Sequence, residues 1–369
     1  MNVRTIVLSS MAVVMTGALG AAPIASAGSR PVTSLPANLT GVSADSPSDA
    51  WAIGIQPNFT PLLLHWNGAT WQQVSIPVTG QSDLSGVAAL SASDAWAVGA
   101  GPGSPAANTL VLRWNGSTWT RVPSPSPHPG QGSALASISA LTPRDAVAVG
   151  DGPGSGPADF TPIALRWNGT RWSTVPVPSP SNQTGLASVS ADTPSDAWAV
   201  GSFFVGQREQ GFIVHWNGSA WTRVPSPNPG TEVTNLTGVS AVSPTDAWAV
   251  GTYVVSRETK TLVLHWNGNK WAQVPSPNPS QTSGLTGVSA LSSRDAWAVG
   301  DIPTGTLVLH WNGTSWARVA APSPGRFASS LNAVSADSAS DAWAVGCECT
   351  GGGGHTVILH WDGTRWLRS

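Results

Sequence analysis

The feature of this sequence that most constrains its fold is an internal repeat of about fifty residues. The clearest copy begins with LTGVSAVSPTDAWAVG (236–251) and ends with TLVLHWNGNKWAQVPSP (261–277). The DAWAVG block or a close variant begins at Asp49, Asp94, Asp145, Asp196, Asp246, Asp295 and Asp341. Because one such unit cannot bury both of its faces alone, the seven copies are expected to pack against one another.

Each repeat contains four short segments typical of β-strands, separated by turn residues. In the fifth copy they are LTGVSA (236–241), AWAVG (247–251), TLVLHW (261–266) and KWAQVP (270–275). Asn267-Gly268, a strong hairpin signal, joins the last two segments. Four strands in about fifty residues is typical of one blade of a propeller. The sequence therefore predicts an all-β fold, a seven-bladed β-propeller with four antiparallel strands in each blade.

The alternation of side chains within a repeat supports the stacking of blades. Trp248 and Val250 share one face of the second strand, and Ala247 and Ala249 share the other. A face of large residues on one blade complements a face of small residues on the next. The chain has 20 Trp, one short of three in each repeat, and Val147 takes the missing place. The first strand is rich in small residues, so we expect it to be innermost.

The first 27 residues have the pattern of a secretory signal peptide. Arg4 supplies a positive charge, residues 6–22 are mostly apolar, and Ala25-Ser26-Ala27 is a small-residue cleavage site. A retained membrane anchor is the alternative, but Ser, Thr and Gly interrupt the apolar run. We therefore expect a secreted, extracellular protein with no integral membrane span after cleavage. A single propeller is then expected over 28–369, with repeats at about 39–83, 84–134, 135–185, 186–235, 236–284, 285–330 and 331–369.

Charged residues are sparse, with 17 Lys and Arg against 19 Asp and Glu. Nucleic-acid binding requires a basic surface that neutralises phosphates, so we expect no nucleic-acid partner. We also expect a monomer that needs no cofactor and no metal.

The repeat resembles those of known propeller families. WNGTSW (311–316) is similar to a shortened Asp-box turn, although the Ser of that motif and its spacing are absent. The alternation of DAWAVG, LVLHWNG and a final Trp also resembles tectonin-type lectin repeats and, in its period, kelch repeats. Over residues 39–369, the chain resembles Trp-rich secreted propellers of actinobacteria. This resemblance implies a propeller fold and, through the lectin repeats, carbohydrate binding.

Polar residues that recur in every repeat are interpreted as structural. The Asp that begins each second strand is expected to accept backbone hydrogen bonds in its turn. The position before the third-strand Trp is occupied by His65, Arg113, Arg166, His215, His265, His310 and His360. These residues belong to different blades, beyond the ~2 Å reach of a common metal ion. They are expected to make polar contacts with neighbouring blades instead.

Cys347 and Cys349 are the only cysteines. Because secretion favours oxidation, we predict a local disulfide between them. A metal site formed by both cysteines and His355 is the less favoured alternative, since three potential ligands in a Gly-rich segment are weak evidence.

No residue carries a catalytic signature. Sialidases need a Tyr nucleophile with a carboxylate pair and an arginine triad, and the only tyrosine, Tyr253, lies in a variable segment. Copper radical oxidases of the galactose type need two tyrosines, which a single Tyr cannot provide. Glycosidases need two carboxylates ~5–10 Å apart. The acids outside the repeat pattern are scattered over several units, at Asp83, Asp151, Asp159, Glu209, Glu232, Glu258, Asp301 and Glu348. A catalytic pair among them stays open.

Segments that vary between repeats fall on one end of the predicted ring. They connect the second strand to the third and each blade to the next, and binding residues are common in such segments. Those least similar to the repeat are Phe203, Phe204, Arg208 and Glu209 in the fourth unit and Tyr253, Arg257 and Glu258 in the fifth. Exposed aromatic and Arg side chains often anchor ligands, so these seven residues are the candidate binding site.

The sequence thus predicts a secreted, non-catalytic binding or scaffold protein that recognises a glycan or another extracellular polymer or protein. An extracellular glycoside hydrolase or lyase is one alternative, and a hub for protein–protein interactions is another.

Overall fold

A computed structural model describes residues 35–78, 80–102, 107–128, 131–323, 329–348 and 354–369. These residues form 28 strands in seven four-stranded antiparallel sheets, and each sheet takes its strands from one continuous stretch of sequence. Neighbouring sheets contact one another around a ring that closes between the last sheet and the first. The predicted seven-bladed β-propeller is confirmed. None of the described residues forms a helix with the length and apolar character needed to cross a membrane.

The strands of the first four blades follow the chain in order from the innermost to the outermost. Their bounds are β1 Asn38–Ser46, β2 Asp49–Ile55, β3 Pro61–Trp66, β4 Trp71–Gln73, β5 Asp83–Ser91, β6 Asp94–Gly101, β7 Asn108–Trp114, β8 Trp119–Arg121, β9 Ala134–Thr142, β10 Asp145–Pro153, β11 Phe160–Trp167, β12 Trp172–Thr174, β13 Thr184–Thr193, β14 Asp196–Val205, β15 Arg208–Trp216 and β16 Trp221–Val224.

Blades 5 to 7 repeat the arrangement. Their bounds are β17 Thr234–Ser243, β18 Asp246–Val255, β19 Glu258–Trp266, β20 Trp271–Gln273, β21 Gly284–Ser292, β22 Asp295–Ile302, β23 Gly305–Trp311, β24 Trp316–Arg318, β25 Ser329–Ser338, β26 Asp341–Glu348, β27 His355–Trp361 and β28 Trp366–Arg368.

The glycine of each DAWAVG block is required by the close pairing of the first two strands. In blade 5, a Cβ added at Gly251 would lie 1.9 Å from the backbone oxygen of Asn235. The corresponding glycines of the other six blades meet a first-strand oxygen at 2.0–2.2 Å. Only glycine fits at this position, because a Cβ would collide with backbone that cannot move aside.

The turn between the third and fourth strands is longer than the predicted two-residue hairpin. It spans residues 267–270, and the Oδ1 of Asn267 accepts hydrogen bonds from the backbone N–H groups of Asn269 and Lys270 at 3.1 and 3.0 Å. Gly268 has a φ of +86°, which favours glycine. The outer strand of blade 5 has three residues.

Adjacent blades pack as the alternation of side chains predicted. Trp248 and Val250 of blade 5 lie in one buried cluster with Ala296 and Ala298 of blade 6. The Trp248 ring also meets Trp316 of blade 6 edge-on, with ring centres 5.3 Å apart. Such pairs contribute ~0.5–1.5 kcal/mol beyond their burial. Blade 3 has Val147 in place of this Trp. There the guanidinium of Arg166 lies over the ring of Trp216 of blade 4, 4.6 Å from its centre.

Among the described residues, hydrogen bonds and packing close the ring between blades 7 and 1, a junction that we call the seam. The side-chain amide of Asn332 donates to the backbone oxygen of Leu39 at 2.7 Å. Thr356 N–H donates to the backbone oxygen of Leu35 at 2.9 Å, and Pro36 forms an antiparallel bridge with His355. Because the outer strand of the seventh repeat is truncated in the sequence, a latch from residues 31–36 beside it is the sequence-based hypothesis for closure. Instead, Leu35 and Pro36 pair with the start of the third strand, and residues 31–34 lie outside the described residues.

Candidate functional site

The repeated Asp and the residue before the third-strand Trp pair with each other within a blade. His265 Nε2 lies 2.8 Å from Asp246 Oδ1, and its ring lies 4.3 Å from that of Trp248. The prediction that these histidines contact a neighbouring blade is therefore wrong for His265. Arg113 does both, because it holds Asp94 with two bonds of 2.9 Å and also donates to the backbone oxygen of Pro143 in the next blade.

The variable segments of blades 4 and 5 are strands rather than loops. β14 and β15 are joined by Gly206 and Gln207 alone, and β18 and β19 by Ser256 and Arg257 alone. Ser256 and Arg257 both have positive φ, +52° and +65°, as a tight type I′ hairpin requires. Aromatic and β-branched residues on both sides of each turn favour strand, which explains why the predicted loops continue the blade.

The structure separates the seven candidate binding residues. Phe203 is 3% exposed and Glu209 is 5% exposed, so neither is an exposed anchor. Phe204 is half-buried against Phe160 of blade 3, with ring centres 6.4 Å apart. The remaining four are accessible at least in part: Arg208, Tyr253, Arg257 and Glu258.

Tyr253 lines a groove. This cavity, of about 380 Å³, opens at the side of blade 5. We call it the Tyr253 groove, and its lining is Tyr253, Thr261, Gln273, Pro275, Ser276 and Asn278. None of the lining residues carries a formal charge at neutral pH.

Hydrogen bonds hold the floor of the Tyr253 groove in place. The Oδ1 of Asn278 accepts from the backbone N–H of Thr261 at 2.8 Å, and the hydroxyls of Thr261 and Ser276 lie 2.7 Å apart. The amide nitrogen of Asn278 donates to the backbone oxygen of Ser276 at 3.1 Å. An amide nitrogen has two N–H donors, so Asn278 keeps one for a ligand. The side chain of Gln273 is exposed at the edge of the groove.

Blade 4 has the same framework but a different lining. Phe203 occupies the position of Tyr253, and Arg223 occupies that of Gln273. The Arg223 guanidinium lies over the Phe203 ring at 4.6 Å, where it covers the aromatic face. Asn228 keeps the floor bond, accepting from the Gly211 N–H at 2.7 Å. Two substitutions between repeats thus distinguish an uncovered aromatic ring from a covered one.

Charged groups near the Tyr253 groove neutralise one another. Lys260 and Glu258, from the same hairpin, form an ion pair of 2.7 Å. This bond to Glu258 raises the pKa of Lys260, which stays a cation. The groove therefore presents hydroxyl, amide and aromatic groups without a net charge beside it.

Three of the scattered acids are buried enough to have a raised pKa. Burial raises the pKa of Asp83, Asp151 and Asp301, in the case of Asp151 to about 6, and none owes its shift to another carboxylate. Within the described part of the chain, no group of three His, Cys, Asp or Glu side chains could hold a metal ion. Cys347 is buried at the end of β26, whereas Cys349 lies outside the described residues, so their disulfide stays a prediction.

Tyr253 is the only residue of the groove lining that the sequence identifies as a candidate. Pro275, Ser276 and Asn278 of the link between blades 5 and 6 line the cavity, although none of them is among the seven candidate residues of the sequence. The signal that could have found them is the replacement of Arg223 by Gln273 beside the only tyrosine.

No protein-family model and no curated protein matches this sequence. Solved structures do match its fold. YCF48 bound to a D1 peptide has a TM-score of 0.57 and 15% identity, over 90% of this chain and 94% of that chain. An ulvan lyase, from a new family of polysaccharide lyase and bound to -[GlcA(1-4)Rha3S]-, has a TM-score of 0.60 and 9% identity, over 92% and 98%.

A fucose-binding lectin is a third similar structure. A variant of the Aleuria aurantia lectin in complex with Fucα1-6GlcNAc has a TM-score of 0.51 and 14% identity, over 92% of this chain and 96% of that chain. That lectin is described as six-bladed, one blade fewer than this chain. The shared property is the propeller. At these identities the comparisons show the fold alone, and the three neighbours bind a peptide, a polysaccharide and a fucoside.

Proposed function

We propose that this protein is a secreted, non-catalytic propeller that binds an uncharged extracellular glycan in the Tyr253 groove. The observation that carries the proposal is the partly exposed Tyr253 ring, set among hydroxyl and amide groups that carry no charge.

The chemistry of the groove suits a sugar. A pyranose has an apolar C–H face and a rim of hydroxyls, so it needs an aromatic surface and several neutral donors and acceptors. Tyr253 offers the aromatic surface and a phenol. Gln273 and Asn278 offer amides, and Ser276 offers a hydroxyl. A few fixed polar groups around an apolar surface are also the usual composition of a small-ligand site.

The framework around the groove supports a preformed site. Thr261, Ser276 and Asn278 bond to one another before any ligand arrives. A site that needs little ordering loses less free energy on binding. The lectin and the lyase among the structural neighbours make a saccharide a reasonable ligand class for this fold, although fold alone does not assign function.

The alternative of a protein partner rests on a different surface. The tip of the β14–β15 hairpin exposes Val205, 55% accessible, beside the exposed Arg208. Apolar and Arg side chains together favour protein contact. This surface is small, and the Tyr253 groove has the more specific chemistry. A hydrolase or lyase would need a carboxylate or another proton-transferring group beside the bound sugar, and the groove lining offers only the Tyr253 phenol.

A glycan array with the purified protein tests the proposal. Binding to neutral saccharides is expected, and it should be lost in Tyr253→Ala. Tyr253→Phe keeps the ring and is expected to weaken binding less. An array without a neutral saccharide signal, or a signal that survives Tyr253→Ala, would contradict the proposal. N-terminal sequencing of the exported protein checks secretion separately, and the first residue should be Gly28.

A further inference from the structure

Three of the seven blades carry an additional aspartate at the end of the first strand. Asp45, Asp192 and Asp337 occupy a position that is apolar in the other blades, where it is Leu90, Leu141, Val242 or Leu291. In each blade this residue is the extra residue of a β-bulge, which lies between two paired residues such as Ala44 and Ser46 in blade 1. Bulges redirect side chains, so the added carboxyl is placed at a defined point.

In blade 1 the added carboxyl meets a second one. The carboxyl groups of Asp45 and Asp49 lie within hydrogen-bond reach of each other, and Asp49 is 5% exposed. The second oxygen of Asp49, Oδ1, lies 2.5 Å from His65 Nε2. The Oδ1 of Asp45 and the Oδ2 of Asp49 are both buried without a donor. Ionised carboxylates can only accept, so two of them hydrogen-bond to each other only when one holds a proton.

The same cluster occurs twice more. Asp192 pairs with Asp196, whose Oδ1 lies 2.6 Å from His215 Nε2. Asp337 pairs with Asp341, which in turn bonds to His360. In both pairs, one oxygen of each carboxyl is again buried without a donor. Blades 5 and 6 keep the Asp–His bond but lack the added carboxyl, so they are natural controls.

We propose that these three Asp–Asp–His clusters are proton-dependent locks, each holding one shared proton whose release near neutral pH weakens the propeller, above all at the seam. Two of the three clusters flank the seam, in blades 7 and 1. That junction is held by side-chain and backbone hydrogen bonds, such as the 3.0 Å bond from Ala44 N–H to the hydroxyl of Ser335. Losing both protons places like charges on the two sides of this junction.

Burial and the partner carboxylate favour retention of the proton in each cluster. Burial, then the hydrogen bond and the negative charge of Asp49, raise the pKa of Asp45 to about 7, and Asp337 adds to this from across the seam. Burial and the partner carboxylate likewise raise the pKa of Asp192 and of Asp337 to about 6. Burial opposes the charge of Asp49, but the bonds from His65 and Asp45 outweigh it and lower the pKa of Asp49. Near Asp192, Arg166 of blade 3 bonds to Asp145 and to the backbone of Pro194.

The direction of the pH effect follows from linkage. The folded pKa values of Asp45, Asp192 and Asp337 lie above the unfolded value of ~3.9. The stabilisation is therefore complete below about pH 4 and is lost as the pH rises through 6 to 7. At pH 5 the folded chain holds up to three protons that the unfolded chain has largely released.

Unfolding in urea between pH 5 and pH 9 tests the lock. The wild-type midpoint should fall with rising pH, and the triple variant Asp45→Leu, Asp192→Leu, Asp337→Leu should show a slope smaller by up to three protons. Other buried carboxyls such as Asp151 are common to both proteins and cancel in the difference. Equal slopes would overturn the proposal. If the Leu variant does not fold, Asn at the three positions serves the same comparison.

Two further measurements need no variant. The carboxyl carbons of Asp45, Asp192 and Asp337 should titrate near pH 6 to 7 by NMR, and titration below pH 5 would overturn the lock. In hydrogen exchange, the protection of Ala44 N–H should fall by about tenfold between pH 6 and 8, after correction for the intrinsic rate and relative to Ala290 N–H. The Ala290 N–H makes the equivalent bond, to Ser240 of blade 5, at an interface without the added carboxyls. Equal protection at both would overturn the assignment of the seam.

Discussion

The guanidinium of Arg223 lies 4.6 Å from the centre of the Phe203 ring, and Gln273 and Tyr253 occupy the corresponding positions one blade later. The repeat therefore contains its own control for the Tyr253 groove. One floor bond is the same in both blades, since Asn228 and Asn278 accept from equivalent backbone N–H groups at 2.7 and 2.8 Å. The covering of the aromatic ring differs, and Gly211 replaces Thr261 in the floor of blade 4.

Gln273→Arg should close the groove. An Arg at this position can lie over Tyr253 as Arg223 lies over Phe203, so the sugar loses its aromatic surface. We expect saccharide affinity to fall at least about tenfold, equivalent to about 1.4 kcal/mol, in isothermal calorimetry. Arg223→Gln is the matched variant, and it should leave the affinity at blade 5 unchanged. Equal affinity in both variants would place the ligand elsewhere.

Repetition explains which features could be predicted from the sequence. Seven copies of one pattern fix the number of blades, and the Trp248 and Ala247 faces fix how blades stack. The site depends instead on departures from the pattern, such as Gln273 for Arg223. The burial of Phe203 could not be foreseen, because it depends on a neighbouring strand and on the Arg223 side chain above it.

Two local features of the backbone were also not predictable from the sequence. The tight turn at Ser256 and Arg257 needs two positive φ values that neither residue type favours, so the hairpin resembled a loop in the sequence. The shared protons of Asp45 and Asp49 require a bulge that no sequence pattern marks.

The hairpin turn of blade 5 can be stabilised. Ser256→Asn with Arg257→Gly supplies the residues that a type I′ turn prefers. We expect the free energy of unfolding to rise by ~0.5–1 kcal/mol, measured by urea denaturation. The same variant removes Arg257, one of the seven candidate binding residues. Glycan affinity should be unchanged, because Arg257 does not line the groove, and a clear loss would show that the hairpin tip takes part in binding.

Blade 2 lacks one bond of a series that joins the other blades. A serine of the first strand accepts from a backbone N–H of the next blade in the pairs Ser43–Ala89, Ser139–Ala191, Ser190–Ala241, Ser240–Ala290, Ser289–Ala336 and Ser335–Ala44. Ala88 occupies this position in blade 2. Ala88→Ser should add the missing bond, to Ala140 N–H, and raise stability by ~0.5–1.5 kcal/mol. Ser240→Ala should lower it by a similar amount, and a melting temperature that does not respond to either change would contradict the role of the series.

Leu35 and Pro36 should contribute to closure. Leu35 accepts from Thr356 N–H at 2.9 Å, and its own N–H donates to the Thr356 hydroxyl at 3.1 Å. A chain that begins at Ala37 loses both bonds, so we expect it to be less stable by ~1–3 kcal/mol than one that begins at Gly28. Thr356→Val removes only the hydroxyl bond and should have the smaller effect. Equal melting temperatures for the two chain lengths would show that these residues do not close the ring.

The most direct measurement of the central claim is a crystal structure of the protein with the tightest-binding neutral saccharide from the array. We predict one sugar ring against Tyr253, with its hydroxyls within hydrogen-bond distance of Gln273 and Asn278. A saccharide bound at the hairpin tips or in the central channel, with the Tyr253 groove empty, would contradict the assignment.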